Sequence, residues 1–470
     1  MIGDDVRDAS AALLDQAPCA VVLPAGCGKT QLAAGTAAVA ATRNKRVLVL
    51  THTHAGVDAI RRRMRTFQVP SNAAKVSTID HWTQRLVVAF PQLSGYVPAP
   101  DVVWPDVHRA TARLLGNRHI REMLRATYDF AVIDEYQDCS KAQHAVVTAL
   151  FHLMQVVILG DPHQAIYNFR DNDLVEWTSD LGHVRHVELA LRPWRWVGAN
   201  EDLGTYLLAM RARLTQGQSI DLRTTALTWR EDTPQNRRTV CWEAVDHDGS
   251  IVILDRFSAQ CVSTARMLSG RFGVMEEMEG SYLLGAATVV AQGNGPAASA
   301  ALLRFARGCF ASLPATLTKK MADEIERGPF PRYIRTASAG RLMQALEAVA
   351  QEPAPERVLA ALREVERLEA TVVRREAWRD MLRAAKRWAE VASASLPDAV
   401  RAVRDQARMY GRKQERRTVS RVVLVKGQEF DECIVLGADA LNARELYVAM
   451  TRPRHRLTVL SRSPLLTPKP

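Results

Sequence analysis

The chain has 470 residues, 47% apolar and 24% charged, and 62 Lys and Arg against 51 Asp and Glu leave a net charge of +11 with a pI near 9.5. That length implies two to four domains, and the apolar fraction excludes a disordered chain. The positive excess favours a polyanionic partner, nucleic acid or an acidic membrane surface. No uninterrupted apolar run approaches the ~20 residues of a spanning helix, so no membrane insertion is expected. The start, MIGDDVRDAS, is acidic and lacks the basic and apolar regions of a signal peptide. Seven scattered cysteines with no CxxC pair fit a reducing, cytoplasmic setting better than a disulfide framework or a zinc site.

In chain order, CAVVL (19–23), RVLVL (46–50), FAVID (130–134) and VVILG (156–160) read as buried parallel strands separated by helical or loop segments. SIVILD (250–255), ECIVLG (432–437) and RLTVLS (456–461) read as strands of another α/β sheet. Between them, residues 280–417 are rich in Ala, Leu, Arg and Glu and predict a mostly helical insertion. The Pro/Gly-rich stretches 95–105 and 293–296 read as loops. The fold class expected is α/β, in two units, the second interrupted by helices.

The first strand runs straight into PAGCGKT (24–30) and then a helical pattern. A glycine-rich turn between strand and helix turns backbone N–H groups toward a phosphate chain, and the helix N-terminus adds partial positive charge. Leu23, Pro24, Ala25, Gly26, Cys27, Gly28, Lys29 and Thr30 form this expected turn, with Gly26 and Gly28 supplying positive φ. Lys29 would reach the β/γ-phosphates and Thr30 would hold Mg²⁺. Leu23 stands where the usual pattern has its first glycine, and the competing reading is a turn that binds nothing. Asp134, at the end of a neighbouring strand, would position the metal, and Glu135 would be the general base for water. Gln164 would sense the γ-phosphate, and Arg195 and Arg452 would neutralise transition-state charge. Taken singly, an acidic pair after an apolar run is a solvated turn, and an arginine in so basic a chain is a surface charge.

Eight segments, in order, resemble the motifs of the UvrD/Rep group of superfamily 1 helicases. They are PAGCGKT, VLVLTHTHAGVDAIRRRM (47–64), STIDHW (77–82), VIDEYQDCS (132–140), LGDPHQAIYNFR (159–170), RPWRW (192–196), VKGQEFD (425–431) and ELYVAMTRPRHRL (445–457). The resemblance implies two RecA-like P-loop NTPase domains with parallel sheets flanked by helices. Residues 1–190 would form the first, with a small insertion at 91–125. Residues 191–279 and 418–470 would form the second, interrupted by a reduced helical insertion at 280–417. It implies ATP and Mg²⁺ as cofactors and 3′→5′ translocation on single-stranded DNA. By the same resemblance Glu429 would approach the ribose and Trp194 would stack on adenine. Thr51, His52, Thr53, Thr78 and Asp80 match single-strand contact positions. Tyr167 and Phe169 match base-stacking aromatics, with core packing as their alternative.

Two departures qualify this picture. The glutamine that reads adenine in the family has no equivalent, since Gln16 lies too close to Lys29. Both insertions are small, which implies poor unwinding by the chain alone. A compact motor of this kind implies a protein partner such as a nuclease, acting on single-stranded or partly duplex DNA in repair, recombination or phage defence, Gabija-like antiphage systems among them. Two further readings stay open: a nucleotide-switched DNA-binding scaffold that assembles or regulates a nuclease without unwinding, and an RNA helicase. Arg374, Arg375, Arg379, Arg383, Lys386 and Arg387 recur at helical spacing as either a duplex-binding surface or a solvated face, and Arg61, Arg62 and Arg63 pose the same choice.

Overall fold

A computed structural model describes residues 3–97, 102–166, 173–277, 280–292, 295–313, 317–328, 330, 336–391, 395–410 and 415–469. Tyr167 and Phe169 lie outside the described residues, as do parts of both expected loops.

The first sheet has six strands: β1 (Cys19–Val22), β2 (Val47–Thr51), β3 (Ala74–Thr78), β4 (Phe130–Ile133), β5 (Gln155–Gly160) and β6 (Arg185–His186), in the order β3-β2-β4-β5-β1-β6. Every pairing is parallel. The β-branched runs suit this arrangement, because a parallel sheet covered by helices on both faces buries both sides of its strands; all five residues of β2 are buried. Order reverses at β1, so the turn after β1 opens into the crevice at the carboxyl ends of the strands, where such sheets bind ligands.

A short antiparallel pair joins β7 (Ile220–Asp221) to β14 (Leu465–Leu466). The second sheet contains β8 (Thr228–Glu231), β9 (Ile251–Leu254), β10 (Gly273–Val274), β11 (Arg417–Ser420), β12 (Phe430–Val435) and β13 (Pro453–Ser461), in the order β10-β11-β9-β12-β13-β8. It too is wholly parallel. The seven strands expected from the sequence are present. The other seven strands of the described residues, β3, β6, β7, β8, β10, β11 and β14, are not expected from the sequence; AKVST, TWRE, GV and RTVS, for instance, carry little apolar signal. The 280–417 boundary is corrected accordingly, because Arg417 opens β11 and belongs to the second sheet. The expected loops shrink as well, with helices already under way at Trp104 and Gly295.

The helical insertion runs from Ser281–Gln292 to Leu396–Tyr410 and has its own core, in which Trp378 packs on Phe305 and Phe310 at ring separations of 6.0 and 4.9 Å. It touches the second sheet at Val373, whose carbonyl accepts from Val274 N at 2.7 Å beside edge strand β10. The first-lobe insertion is the helices Pro91–Ser94, Trp104–Leu115 and Arg118–Thr127. Among the described residues no helix is long and apolar enough to cross a membrane.

Candidate active site

β1 hands the chain to the turn through Leu23, whose N–H donates to Gly160 O at 2.9 Å. Gly26 and Gly28 take φ of +74° and +92°, the left-handed region that a side chain disfavours. Space is also short at Gly26, where a Cβ would lie 2.3 Å from the Trp196 ring. The helix Lys29–Thr42 follows at once, so its first N–H groups face the turn. Lys29 is buried and its Nζ donates to Leu23 O at 2.9 Å. Thr30 is half-buried beside it. Burial pushes the Cys27 thiol up to about 11, so it is a neutral part of the turn.

Asp134 leaves the end of β4 with its N–H on Leu50 O at 2.8 Å. Glu135 adopts φ +56°, which is costly for a side-chain-bearing residue and typical of functional turns. Burial first, then the Glu135 charge, pushes the Asp134 carboxyl up to about 7, with Lys29 opposing. Its Oδ2 is 3.5 Å from Thr51 Oγ1, while Oδ1 is buried with no hydrogen-bond partner. Glu135 is pushed up by burial but ends below its ordinary value, because Lys29, Lys426, a 2.5 Å bond from Gln137 Nε2, and Arg452 together outweigh it. An orphaned carboxyl oxygen beside a hydroxyl and the glycine turn is a donor set that suits Mg²⁺, which binds through one or two carboxylates plus phosphate oxygens.

The second lobe reaches the turn from the other side. Arg195 N donates to Gly26 O at 3.1 Å. The Arg195 guanidinium donates to Thr451 O and to Glu429 Oε1, the latter at 2.6 Å. Trp194 stands by Gly28, its Cδ1 3.3 Å from where a Cβ would be, and Arg192 covers its ring at 4.1 Å. Arg452 is 1% exposed and donates to Val448 O, Gln428 O and Thr451 Oγ1 at 2.7, 3.2 and 3.0 Å. Burial, with Arg195 close by, pulls it down to about 10, while Glu135 and Glu429 hold it charged. Lys29 from one lobe and Arg452 from the other thus both act on Glu135.

Sequence reasoning missed several residues that close this cleft. Lys426, buried, donates to the Asp138 carboxylate and to Gln164 O across the two lobes. Tyr447 OH accepts from Ala25 N at 2.9 Å and donates to Asp161 Oδ2 at 3.2 Å. Both lie inside segments already singled out, and their position there was the available signal. Gln164 Nε2 donates to Asp161 Oδ2 at 3.0 Å.

The expected single-strand contacts gather at the carboxyl ends of β2 and β3, where Thr51 and Thr78 are direct register partners. Both are buried. Thr53 and Thr78 cap the helices that follow, accepting from Gly56 N and His81 N. His52 lies 3.4 Å from Cys139 Sγ, and burial pushes it down to about 4, so it is neutral at physiological pH. Asp80 accepts from Gln143 Nε2 at 2.8 Å and pairs with His108 Nε2 at 2.9 Å. The basic helix is largely paired: Arg374 with Glu276 and over the Tyr282 ring, Arg375 and Arg379 with Glu415, Arg383 with Asp380, Lys386 with Glu390. Arg374 is largely buried in its pair, while Arg379, Arg383 and Lys386 are exposed in theirs.

The fold and site define a class of arrangement, a strand, glycine turn and helix at the carboxyl edge of one parallel sheet, met by a second α/β unit. Residues 104–179 match the UvrD/REP helicase N-terminal domain. The chain is similar to the RecB subunit of the RecBCD enzyme of Haemophilus influenzae, 38% identical over 60 residues, 12% of this chain and 5% of that protein. It is 43% identical over 63 residues to the exonuclease/helicase subunit RexA of Lactococcus lactis subsp. cremoris, 13% of this chain and 5% of that one. A RecB subunit of Mycobacterium tuberculosis is 30% identical over 104 residues, 18% of this chain and 10% of the relative. The chain therefore spans a tenth or less of the length of these relatives. Each of these likenesses covers less than a fifth of this chain.

Proposed function

We propose that the chain is an ATP-dependent DNA translocase or helicase of the UvrD-like type, with two RecA-like lobes that clasp Mg²⁺-ATP and move 3′→5′ on single-stranded DNA. The observation that carries this reading is the glycine turn before Lys29 met from the second lobe: Arg195 N donates to Gly26 O, Tyr447 OH accepts from Ala25 N, and Lys426 bridges Asp138 and Gln164 O. Glu135, held below its ordinary value, would be the general base for water, and Lys29 and Arg452 would meet phosphate charge. Bound Mg²⁺, held by Thr30 and Asp134, would neutralise charge on the phosphates. Trp194 would present an aromatic face to the base, Glu429 would turn from Arg195 to the ribose, and Arg195 would be freed toward the γ-phosphate with Gln164. Thr51, His52, Thr53, Thr78, Asp80, Tyr167 and Phe169 would line the strand path. The name of the Lactococcus relative joins exonuclease to helicase, which supports a nuclease partner; the setting proposed is repair, recombination or phage defence.

The test is ATP hydrolysis by the purified chain with single-stranded DNA, duplex DNA and RNA, beside a strand-displacement assay. Stimulation by single-stranded DNA and its loss in Lys29→Ala are expected. Turnover in Lys29→Ala equal to wild type would overturn the site. Nucleotide-dependent partner binding with neither translocation nor unwinding would favour a scaffold.

A further inference from the structure

Arg211 belongs to none of the segments that resemble helicase motifs. It lies in the helix Glu201–Thr215 of the second lobe, whose neighbouring residues Leu207, Met210 and Leu214 are part of that lobe's core. Its side chain crosses to the first lobe. Nη2 and Nε donate to Asp161 Oδ1 at 2.9 and 3.3 Å, and Asp161 is fully buried. One turn further along the same helix face, Thr215 Oγ1 lies 2.9 Å from His163 Nε2. The helix therefore grips the 161–164 turn at two points.

The two oxygens of Asp161 divide their work. Oδ1 takes Arg211 and His163 N, the latter at 3.2 Å. Oδ2 takes Gln164 Nε2 at 3.0 Å and Tyr447 OH at 3.2 Å. The Asp161 N–H donates to Gln137 Oε1 at 2.9 Å, and Gln137 Nε2 bonds Glu135. One buried carboxylate thus joins the second lobe to Gln164, to the P-loop through Tyr447, and to Glu135 through Gln137. Burial pushes its carboxyl up, but the Lys29 and Arg211 charges and the bonds from Arg211 and Gln164 hold it below the ordinary range.

We propose that Arg211 is a positioning residue: by holding Asp161 Oδ1 from the second lobe, it sets the direction of the Gln164 side chain and makes that direction depend on how the lobes sit. A planar fork suits this task, since it fixes an angle as well as a charge. Movement of the helix Glu201–Thr215 would swing Asp161 and, through Oδ2, the Gln164 amide. This inference rests on the ATPase reading above.

The test is a double-mutant cycle in the full chain, reading kcat and KM for ATP with saturating oligo-dT. Arg211→Met is expected to lower kcat about tenfold, the scale of one misplaced hydrogen-bond donor, with KM changed by less than about twofold. In a Gln164→Ala background the same change should cost less than about twofold, because the residue it acts through is gone. Arg211→Lys keeps the charge without the fork, should recover part of kcat, and carries the same cycle if the methionine variant does not fold. Arg211→Met turnover equal to wild type, losses that multiply with Gln164→Ala, or a change in KM alone would overturn the inference. A wild type without DNA-stimulated hydrolysis overturns the ATPase reading as well; an active wild type with independent losses overturns only the role of Arg211.

Discussion

Lys426→Met removes the ammonium that bridges Asp138 and Gln164 O across the lobes. Both partners of the ion pair are almost fully buried, so the substitution strands a carboxylate in a medium of low polarity. Breaking a buried pair from one side costs about 3–5 kcal/mol, far more than an exposed pair is worth. The pH dependence has a definite sign. Burial pushes Asp138 up to about 7 even with Lys426 opposing, above the 3.8 of an ordinary aspartate. A carboxyl whose folded value is raised costs native stability as pH climbs through that value, and removing Lys426 raises it further. Near pH 6 both proteins carry the proton, while at pH 8 only the variant must still be protonated or bear a bare charge. The deficit of Lys426→Met should therefore be about 1 kcal/mol larger at pH 8 than at pH 6. Urea unfolding followed by tryptophan fluorescence at the two pH values measures it. The double variant Lys426→Met/Asp138→Asn should recover most of the loss. A deficit under about 1 kcal/mol at pH 8, or one that grows toward acid, refutes the reasoning.

Three other outcomes follow from named contacts. Gly26→Ala puts a methyl group against Trp196 at a positive φ, so nucleotide binding should fall sharply with a stability loss of about 1–3 kcal/mol, read by isothermal titration and melting. Trp194→Ala should raise KM for ATP about tenfold with little change in kcat, and Trp194→Tyr should stay near wild type; equal KM in all three removes Trp194 from base stacking. Asp134→Asn should leave ADP binding without metal within about twofold of wild type while abolishing its enhancement by Mg²⁺, which calorimetry with and without EDTA resolves.

Local chemistry was legible in the chain. Apolar runs such as VLVLT and IVIL announced strands because a parallel sheet buries both their faces, and Gly26 and Gly28 announced a tight turn because few other residues take those φ values. The acidic pair at the end of β4 and the order of the motifs already pointed to the cleft. Other features left no local mark. The β11 sequence RTVS carries little apolar signal, and its pairing with β9 and β10 on either side makes it a strand. The basic helix read equally as a duplex-binding surface or a solvated face, and only packing brought Glu276 and Glu415 against it.

The sequence alone, through backbone preference and hydrophobic period, determined where the glycine turn and the acidic pair sit along the chain. Only the tertiary structure decided that Arg211 meets Asp161 and that Lys426 meets Asp138, residues separated by 50 and 288 positions. A buried charge finds its partner through the desolvation that distant segments impose, and no run of neighbouring residues encodes that.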